Sequence, residues 1–261
     1  MINVELKGGA VKEFENGTTP AEIAKSIGAG LYKSVCCAKV DGDLCDLRTP
    51  LGKDCKVELL TFDNVDGQKT FWHTASHVLA QAVKRLYPNA KCAIGPAVDN
   101  GFYYDFDVEK PFSPEDLEKI KAEMKKIVKS GLELERVELS PEEAEKKLEE
   151  MNEPYKVELV KEHSDKGEHI TFYKQGEFID LCAGPHLMSV APIKAIELTA
   201  CTGAYWRGDA NNAQLCRVYG VAFPKASMLE EHLKKLEEAK LRDHNKLGRE
   251  LEYFTTVDYV G

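Results

Sequence analysis

The sequence predicts an α+β protein composed of a small β-rich unit, a larger mixed unit and a charged terminal helix. Three kinds of pattern lead to this prediction: apolar residues at a period of two near the start, apolar stripes at helical spacing further on, and short turn-bounded apolar segments after them. The 261 residues are sufficient for more than one hydrophobic core. We place the units at residues 1–62, 63–224 and 225–261.

The first unit has the pattern of a small β-grasp, ubiquitin-like module. Alternating apolar residues over 2–6, followed by Gly8-Gly9, predict a β-hairpin. Thr19 and Pro20 then predict the start of a helix that ends at Gly28. Two further strand signals follow, over residues 35–40 and 56–62. The resulting order is ββαββ.

The larger unit is predicted to begin after a polar linker over residues 63–69. Its predicted elements are a helix at about 72–87, a strand at 102–106, helices beginning at Ser113-Pro114 and Ser140-Pro141, and short strands alternating with turns from 155 to 224. The terminal unit is predicted to be a solvated helix over 227–246, followed by the start of a further domain.

Composition excludes several classes of protein. No apolar run approaches the roughly 20 residues of a membrane-spanning helix, and the residues after Met1 lack a basic segment followed by an apolar one, so we expect a cytoplasmic protein. The eight cysteines include no C-x-x-C pair and are expected to be reduced thiols.

The charge balance is acidic, which at first argues against a nucleic-acid partner. The chain has 35 basic and 44 acidic residues and a net charge of −9, whereas nucleic-acid binders usually present a basic surface. Much of the acidic excess comes from the Glu-rich segment 113–153, predicted to be solvated helix. Net acidity therefore does not exclude an RNA partner.

Two histidine motifs are the candidates for chemistry. His73 and His77 are four residues apart on a predicted helix and so share one face. Cys182 and His186 are also four apart, on either side of a Gly-Pro turn. Together they offer four ligands of the kind that zinc accepts, or a metal-free site in which imidazoles transfer protons. The residue pattern alone leaves both possibilities open, as well as an inert one.

Five segments resemble, in the same order, the amino-terminal half of threonyl-tRNA synthetases. They are WHTASHVLAQAV, AIGPAVDNGFYYDFD, YKVELVKEH, FIDLCAGPH and TGAYWRGDANNAQLCRVYGVAF. The first unit resembles the TGS domain of that family, and residues 237–254 resemble its linker helix and the start of its aminoacylation domain. The resemblance covers nearly the whole chain.

The resemblance implies an editing site that hydrolyses tRNA(Thr) mischarged with serine. The catalytic residues it implies are His73, Lys156, His77, Cys182 and His186. His73 and Lys156 would place or activate the water and support the developing charge. Tyr104 and Asp180 would recognise the seryl group. From pattern alone, Tyr104 is typical of core and Lys156 of a solvated strand edge, whereas a carboxylate in the apolar run around Asp180 requires a partner.

The resemblance also implies the cofactors and partners. The threonyl branch of this editing fold is expected to work without metal; if zinc is present, its ligands are His73, His77, Cys182 and His186. ATP and zinc are expected only in a catalytic domain that would follow residue 261. The partner is tRNA(Thr) mischarged with serine, and no membrane is involved. The full-length enzyme is expected to be a homodimer and this chain a monomer.

Two other functions stay open. The chain could be a non-catalytic tRNA-binding or regulatory arm, in which Tyr205-Trp206-Arg207 stacks on a base or forms only a structural turn. It could also be a zinc-dependent hydrolase.

Overall fold

A computed structural model describes residues 1–241 of the chain. The end of the predicted terminal helix and the predicted start of a further domain lie outside the described residues.

The first unit is a β-grasp fold, as predicted. Its elements are β1 (Ile2–Leu6), β2 (Val11–Phe14), α1 (Pro20–Ile27), α2 (Ala29–Ser34), β3 (Val35–Val40), β4 (Asp43–Cys45) and β5 (Cys55–Thr61). The sheet has the order β2-β1-β5-β3-β4, with β1 and β5 parallel at its centre. Helix α1 starts with a capping box between Thr19 and Glu22 and buries Ile23 and Ala24 against the sheet.

The larger unit and the terminal helix contain the remaining elements. They are α3 (Val65–Leu86), β6 (Lys91–Cys92), β7 (Ala97–Val98), β8 (Gly101–Asp107), α4 (Pro114–Ser130), β9 (Leu134–Glu138), α5 (Pro141–Glu150), α6 (Pro154–Asp165), β10 (Thr171–Gln175), β11 (Phe178–Leu181), β12 (Ala195–Tyr205), β13 (Gln214–Phe223) and α7 (Ala226–Leu241). The predicted strand around 102–106 and both Ser-Pro helix starts are confirmed. The predicted unit boundaries stay predictions.

Helix α3 is the central element of the larger unit. It packs against α4 and against strands β8 and β13 of the sheet β12-β13-β8-β6. Its apolar residues, among them Phe71, Val78 and Leu79, belong to one core with Phe102 and Ile120. A separate three-stranded sheet, β11-β10-β9, carries α5 and α6 and has its own smaller core. We call these two sheets with their helices the two layers of the larger unit. The predicted site residues lie on both: on α3 and β8 of the first layer, and on α6 and β11 of the second.

The predicted polar linker over 63–69 is wrong, because α3 already begins at Val65. Asn64 has the extended backbone of a helix N-cap, and the polar residues after it form the first turns. Gly67 lies in these turns against the end of β5, where an added Cβ would be 2.0 Å from the Thr61 carbonyl oxygen. The helix thus docks directly on the first unit.

The predicted strands and turns directly after residue 155 are also wrong, since residues 154–165 form helix α6. Pro154 occupies its first turn, where a missing N–H costs nothing. Val157 and Val160, three positions apart, pack into the small core with Phe172 of β10. Residues three positions apart share one face in a helix but point to opposite faces in a strand. Two valines are too few to establish a period from the sequence, and their common packing on the core with Phe172 shows the helix.

Within residues 1–241, no helix combines the length and apolarity required to cross a bilayer.

Replacing Gly67 by Ala is expected to destabilise the protein by about 1–3 kcal/mol, because the added methyl group has to displace the Thr61 backbone. Urea unfolding of the purified chain measures the change. Gly30→Ala is the matched control: Gly30 is an exposed helical glycine with open space around it, and Ala there is expected to be neutral or stabilising by up to about 1 kcal/mol. Equal effects of the two substitutions would contradict the close docking of α3.

Candidate functional site

A pocket of about 340 Å³ opens between α3, α6 and the end of β11. Five of the side chains that the sequence singled out line it: His73, His77, Lys156, Asp180 and Cys182. Ile94, Pro96 and Leu159 are among the residues of its apolar walls. A concave, largely apolar pocket with a few convergent polar groups is typical of a site for a small molecule or for the end of a larger ligand.

The two histidine motifs meet beside this pocket. Helix α3 projects His73 and His77, and the turn after β11 brings up Cys182 and His186. The Cys182 Sγ atom is 3.2 Å from Nε2 of His73 and 3.2 Å from Nε2 of His186. The backbone N–H of Gly184 also donates to this sulfur. Two pairs separated by more than 100 residues thus form one cluster.

Thr74 fixes the protonation of His186. The Thr74 hydroxyl donates its single proton to the Thr70 carbonyl at 3.0 Å, so its oxygen accepts from Nδ1 of His186 at 3.2 Å. The proton of His186 is therefore on Nδ1, and Nε2 presents a lone pair to Cys182. Sequence reasoning missed Thr74, because a threonine inside a helix gives no signal of what its hydroxyl contacts.

His73 and His186 are both neutral near pH 7. Burial lowers the pKa of His73 to about 4, and the charge of Asp180 only partly offsets this. Burial, reinforced by His77 and His73, lowers the pKa of His186 well below its ordinary value. His73 also hydrogen-bonds Pro185, whose only backbone hydrogen-bonding group is its carbonyl. Neutral imidazoles can accept a proton from water or bind a metal.

A buried ion pair forms the charged wall of the pocket. The Lys156 Nζ atom is 2.8 Å from Oδ1 of Asp180, and the side chains are only 5% and 4% exposed. Although burial by itself raises the pKa of Asp180, Lys156 and then His77 hold it below the usual range. Burial by itself lowers the pKa of Lys156, but the charge and hydrogen bond of Asp180 outweigh burial and raise it above its ordinary value. The solvated strand edge that the pattern favoured for Lys156 is therefore wrong: the residue lies on α6, facing inward.

Tyr104 lies behind Asp180 and has no exposed surface. Its hydroxyl donates to Oδ2 of Asp180 at 2.6 Å, and His77 Nε2 is 3.7 Å from the same oxygen. Burial, and next the charge of Asp180, raises the pKa of Tyr104 well above its ordinary value, so the phenol stays a donor. Tyr104 is thus a core residue, as its strand pattern predicts. It also contacts the site, through its hydrogen bond to Asp180.

Gly95 shapes the pocket wall in front of Tyr104, and the sequence did not single it out. It lines the pocket, and an added Cβ would be 2.0 Å from the Tyr104 ring. Its carbonyl accepts a hydrogen bond from Ser76 on α3 at 2.6 Å. Only a residue without a side chain allows the backbone to lie this close to the tyrosine.

The Tyr205-Trp206-Arg207 segment forms a structural turn. Trp206 is buried against Tyr155, and its indole N–H donates to Glu158 at 3.1 Å. Arg207 is paired with Glu158 and Glu162 of α6. Trp206 is therefore not available to stack on a base, although Tyr205 is exposed.

The His/Cys cluster also fits a zinc ion by the chemistry of its donors. Three imidazoles and one thiol supply ligand atoms that all lie within 4.8 Å of one another, and this set is of the type found around zinc. The residues that would hold the ion are His73, His77, Cys182 and His186, where it would supply Lewis acidity. The sequence-based expectation of a metal-free site stays a prediction.

Comparisons with known proteins identify two domains. The model of the TGS domain matches residues 2–61, and that of the threonyl and alanyl tRNA synthetase second additional domain matches residues 170–219, which include Asp180, Cys182 and His186. The chain is 57% identical over 254 residues to the threonine–tRNA ligase of Acetivibrio thermocellus, covering 97% of this chain. It is 58% identical over 255 residues to that of Clostridium tetani, covering 98% of the chain.

The chain is similar to threonine–tRNA ligases over nearly its whole length. It spans 40% of the length of each of these two relatives. The threonine–tRNA ligase of Clostridium perfringens matches the full length of the chain at 56% identity, again over 40% of its own length. The resemblance inferred from the sequence motifs is confirmed. The chain corresponds to the amino-terminal region of threonyl-tRNA synthetases, with the editing-associated domain.

Removing one partner of the buried ion pair is expected to be far more costly than removing both. Asp180→Asn leaves the Lys156 ammonium without its counter-charge and is expected to cost about 3–5 kcal/mol in the free energy of unfolding. Adding Lys156→Met should recover most of that loss. Urea unfolding of the single and double variants measures both; a double variant less stable than Asp180→Asn would contradict a dominant pairing effect.

The chain purified without chelators is expected to contain well under one zinc per molecule, measured by inductively coupled plasma mass spectrometry after dialysis against metal-free buffer. A zinc content of one per chain, lost in a Cys182→Ser variant but kept in Cys92→Ser, would overturn the metal-free expectation. Cys92 is a buried cysteine outside the cluster and serves as the matched control.

Proposed function

We propose that the pocket is an editing site that hydrolyses the ester of tRNA(Thr) mischarged with serine. The observation that carries this proposal is the meeting, in one pocket, of neutral His73 and the charged Lys156–Asp180 pair. Similarity to threonine–tRNA ligases and the match to the threonyl and alanyl tRNA synthetase second additional domain supply the substrate class. A site that places a neutral base and a cation side by side suits the hydrolysis of a cationic aminoacyl ester.

The need for such a site follows from the substrate. Serine lacks one methyl group of threonine, and a missing group of that size is worth only about 1–3 kcal/mol of discrimination. A synthetic site that accepts threonine therefore also charges some serine. A second, smaller pocket that excludes the extra methyl group and hydrolyses the smaller ester corrects the error.

In the proposed reaction a water molecule attacks the ester carbonyl carbon. His73, neutral at pH 7, accepts a proton from that water as the new C–O bond forms. The Lys156 ammonium stabilises the negative charge that develops on the carbonyl oxygen. The bond to the ribose oxygen then breaks, that oxygen takes up a proton, and serine and tRNA(Thr) leave.

The remaining predicted residues hold the reacting groups and the substrate. Asp180, supported by Tyr104 and His77, offers a carboxylate to the ammonium or hydroxyl of the seryl group. Cys182 and His186 complete the cluster against which His73 is held. Gly95 lines the pocket with the Tyr104 ring packed directly behind it, so this wall has no room to recede for a larger amino acid.

The wider activity belongs to the same proposal. We infer that the full-length protein ligates threonine to tRNA(Thr) with ATP and zinc in a separate catalytic domain, acts as a homodimer and works in the cytoplasm. This chain by itself is proposed to be a monomer that takes no cofactor.

The decisive experiment compares the deacylation of seryl-tRNA(Thr) and threonyl-tRNA(Thr) by the purified chain. Seryl-tRNA is expected to lose its amino acid while threonyl-tRNA is spared, and His73→Ala should slow the reaction by about 100-fold or more. His232→Ala is the matched control, because His232 packs on Phe223 at α7, outside the residues that line the pocket.

Each alternative predicts a different result. Intact tRNA binding without deacylation of either substrate would support a non-catalytic RNA-binding arm. Deacylation abolished by a chelator and restored by zinc would support a zinc-dependent hydrolase. Equal cleavage of the two substrates would overturn the editing function.

A further inference from the structure

A short segment of the first unit, Asp46-Leu47-Arg48, extends into the larger unit directly behind the His/Cys cluster. We propose that Asp46 and Arg48 are positioning residues that hold the backbone of His186, and through it the imidazole, in the geometry required for deacylation. This inference rests on the proposed function for its activity readout only. It gives the TGS domain a role in the chemistry of a site that lies outside it.

Asp46 binds the turn from Cys182 to His186, which we call the site turn. The carboxylate is buried, and its Oδ2 accepts hydrogen bonds from the backbone N–H of His186 at 3.2 Å and from the hydroxyl of Tyr173 at 2.8 Å. Its Oδ1 accepts from the backbone N–H and the guanidinium of Arg48. A buried carboxylate in a β-grasp unit therefore has two of its partners in the other unit.

Arg48 binds the end of the same turn and the start of β9 through carbonyl oxygens. Its guanidinium donates to Leu187 at 2.7 Å, to Leu134 at 2.8 Å and to His186 at 3.4 Å. The planar guanidinium has donors in a fixed arrangement, so one side chain holds three carbonyl groups together. Both the N–H and the carbonyl of His186 are thus bound by the first unit.

Tyr173 completes the support. Its ring centroid is 4.4 Å from that of His186, and its hydroxyl is fixed by Asp46. An added Cβ on Gly184 would be 2.2 Å from that hydroxyl, so the tyrosine lies directly against the Cys182-to-His186 turn. Asp46 therefore fixes His186 twice, through the backbone and through the ring that covers it.

Together these contacts determine where Nε2 of His186 is placed. Thr74 orients the ring from one side and binds the N–H of Leu187, while Asp46 and Arg48 fix the backbone from the other. Removing Asp46 would leave a buried N–H and a buried phenol without an acceptor, and the turn would have to shift to satisfy them. The 3.2 Å contact between His186 and Cys182 depends on that turn.

The structure also offers a control for docking of the two units. Lys39 of β3 pairs with Asp66 of α3 at 2.6 Å, which links the first unit to α3 without touching the site turn. If the first unit only stabilises the rest of the chain, loss of this pair and loss of Asp46 should have similar effects on His186 and on deacylation. If Asp46 positions the site, their effects on His186 should differ.

The test combines imidazole ¹⁵N NMR of histidine-labelled chain with deacylation kinetics on seryl-tRNA(Thr). In Asp46→Ala, the ¹⁵N resonances of His186 are expected to shift or broaden, and kcat to fall about 10- to 100-fold, with KM changed less than about threefold. Asp46→Asn, which keeps one acceptor oxygen at nearly the same size, is expected to show an intermediate loss and remains informative if Asp46→Ala does not fold. Lys39→Ala should leave both the His186 resonances and kcat as in the wild type.

Unchanged His186 resonances and kcat in a folded Asp46→Asn or Asp46→Ala variant would overturn the proposal, as would equal losses in Lys39→Ala. If the wild-type chain deacylates no seryl-tRNA, the proposed function fails. The NMR comparison still decides whether Asp46 positions His186, so the two failures are distinguishable.

Discussion

The carboxylate of Asp180 is the group on which the site depends, because it joins side chains from three other elements. Lys156 approaches it from α6, Tyr104 from β8 and His77 from α3. An ionised carboxylate is stable in the interior only when its lone pairs are satisfied and a counter-charge is close. These partners keep Asp180 ionised inside the protein, and in doing so they fix the two layers of the larger unit against each other.

Helix α3 connects Asp180 to the His/Cys cluster, because it carries both His77 and His73. Between Thr70 and Val83 the helix is almost entirely buried, so the polar side chains there are held by neighbouring elements rather than by solvent. His73 and His77 meet the turn after β11, and Thr74 sets the tautomer of His186. The docking of Gly67 on β5 ties the start of the same helix to the first unit. A displacement of α3 would therefore alter the pocket and the interface between units together.

Local sequence determined much of the fold. Caps gave the starts of α1, α4 and α5, since Thr19, Ser113 and Ser140 satisfy the first backbone N–H groups wherever the helix lies, and Gly28 gave the end of α1. The strand signals gave β1, β2, β3 and β5 of the first unit but missed α2 and the short strand β4. The same local reasoning failed at residues 63–69 and 154–165, because polar composition and a short valine spacing do not distinguish a solvated segment from a helix docked on a neighbouring element.

For the site, the sequence determined which residue types are present and, by resemblance to threonyl-tRNA synthetases, which of them belong together. Spacing alone paired His73 with His77 and Cys182 with His186, but left open whether the two pairs meet. Only the tertiary structure decided that Lys156 is buried, that Tyr104 contacts Asp180, and that a segment of the first unit binds His186. Burial and hydrogen-bond partners depend on chain segments far apart in sequence, and no local pattern encodes them.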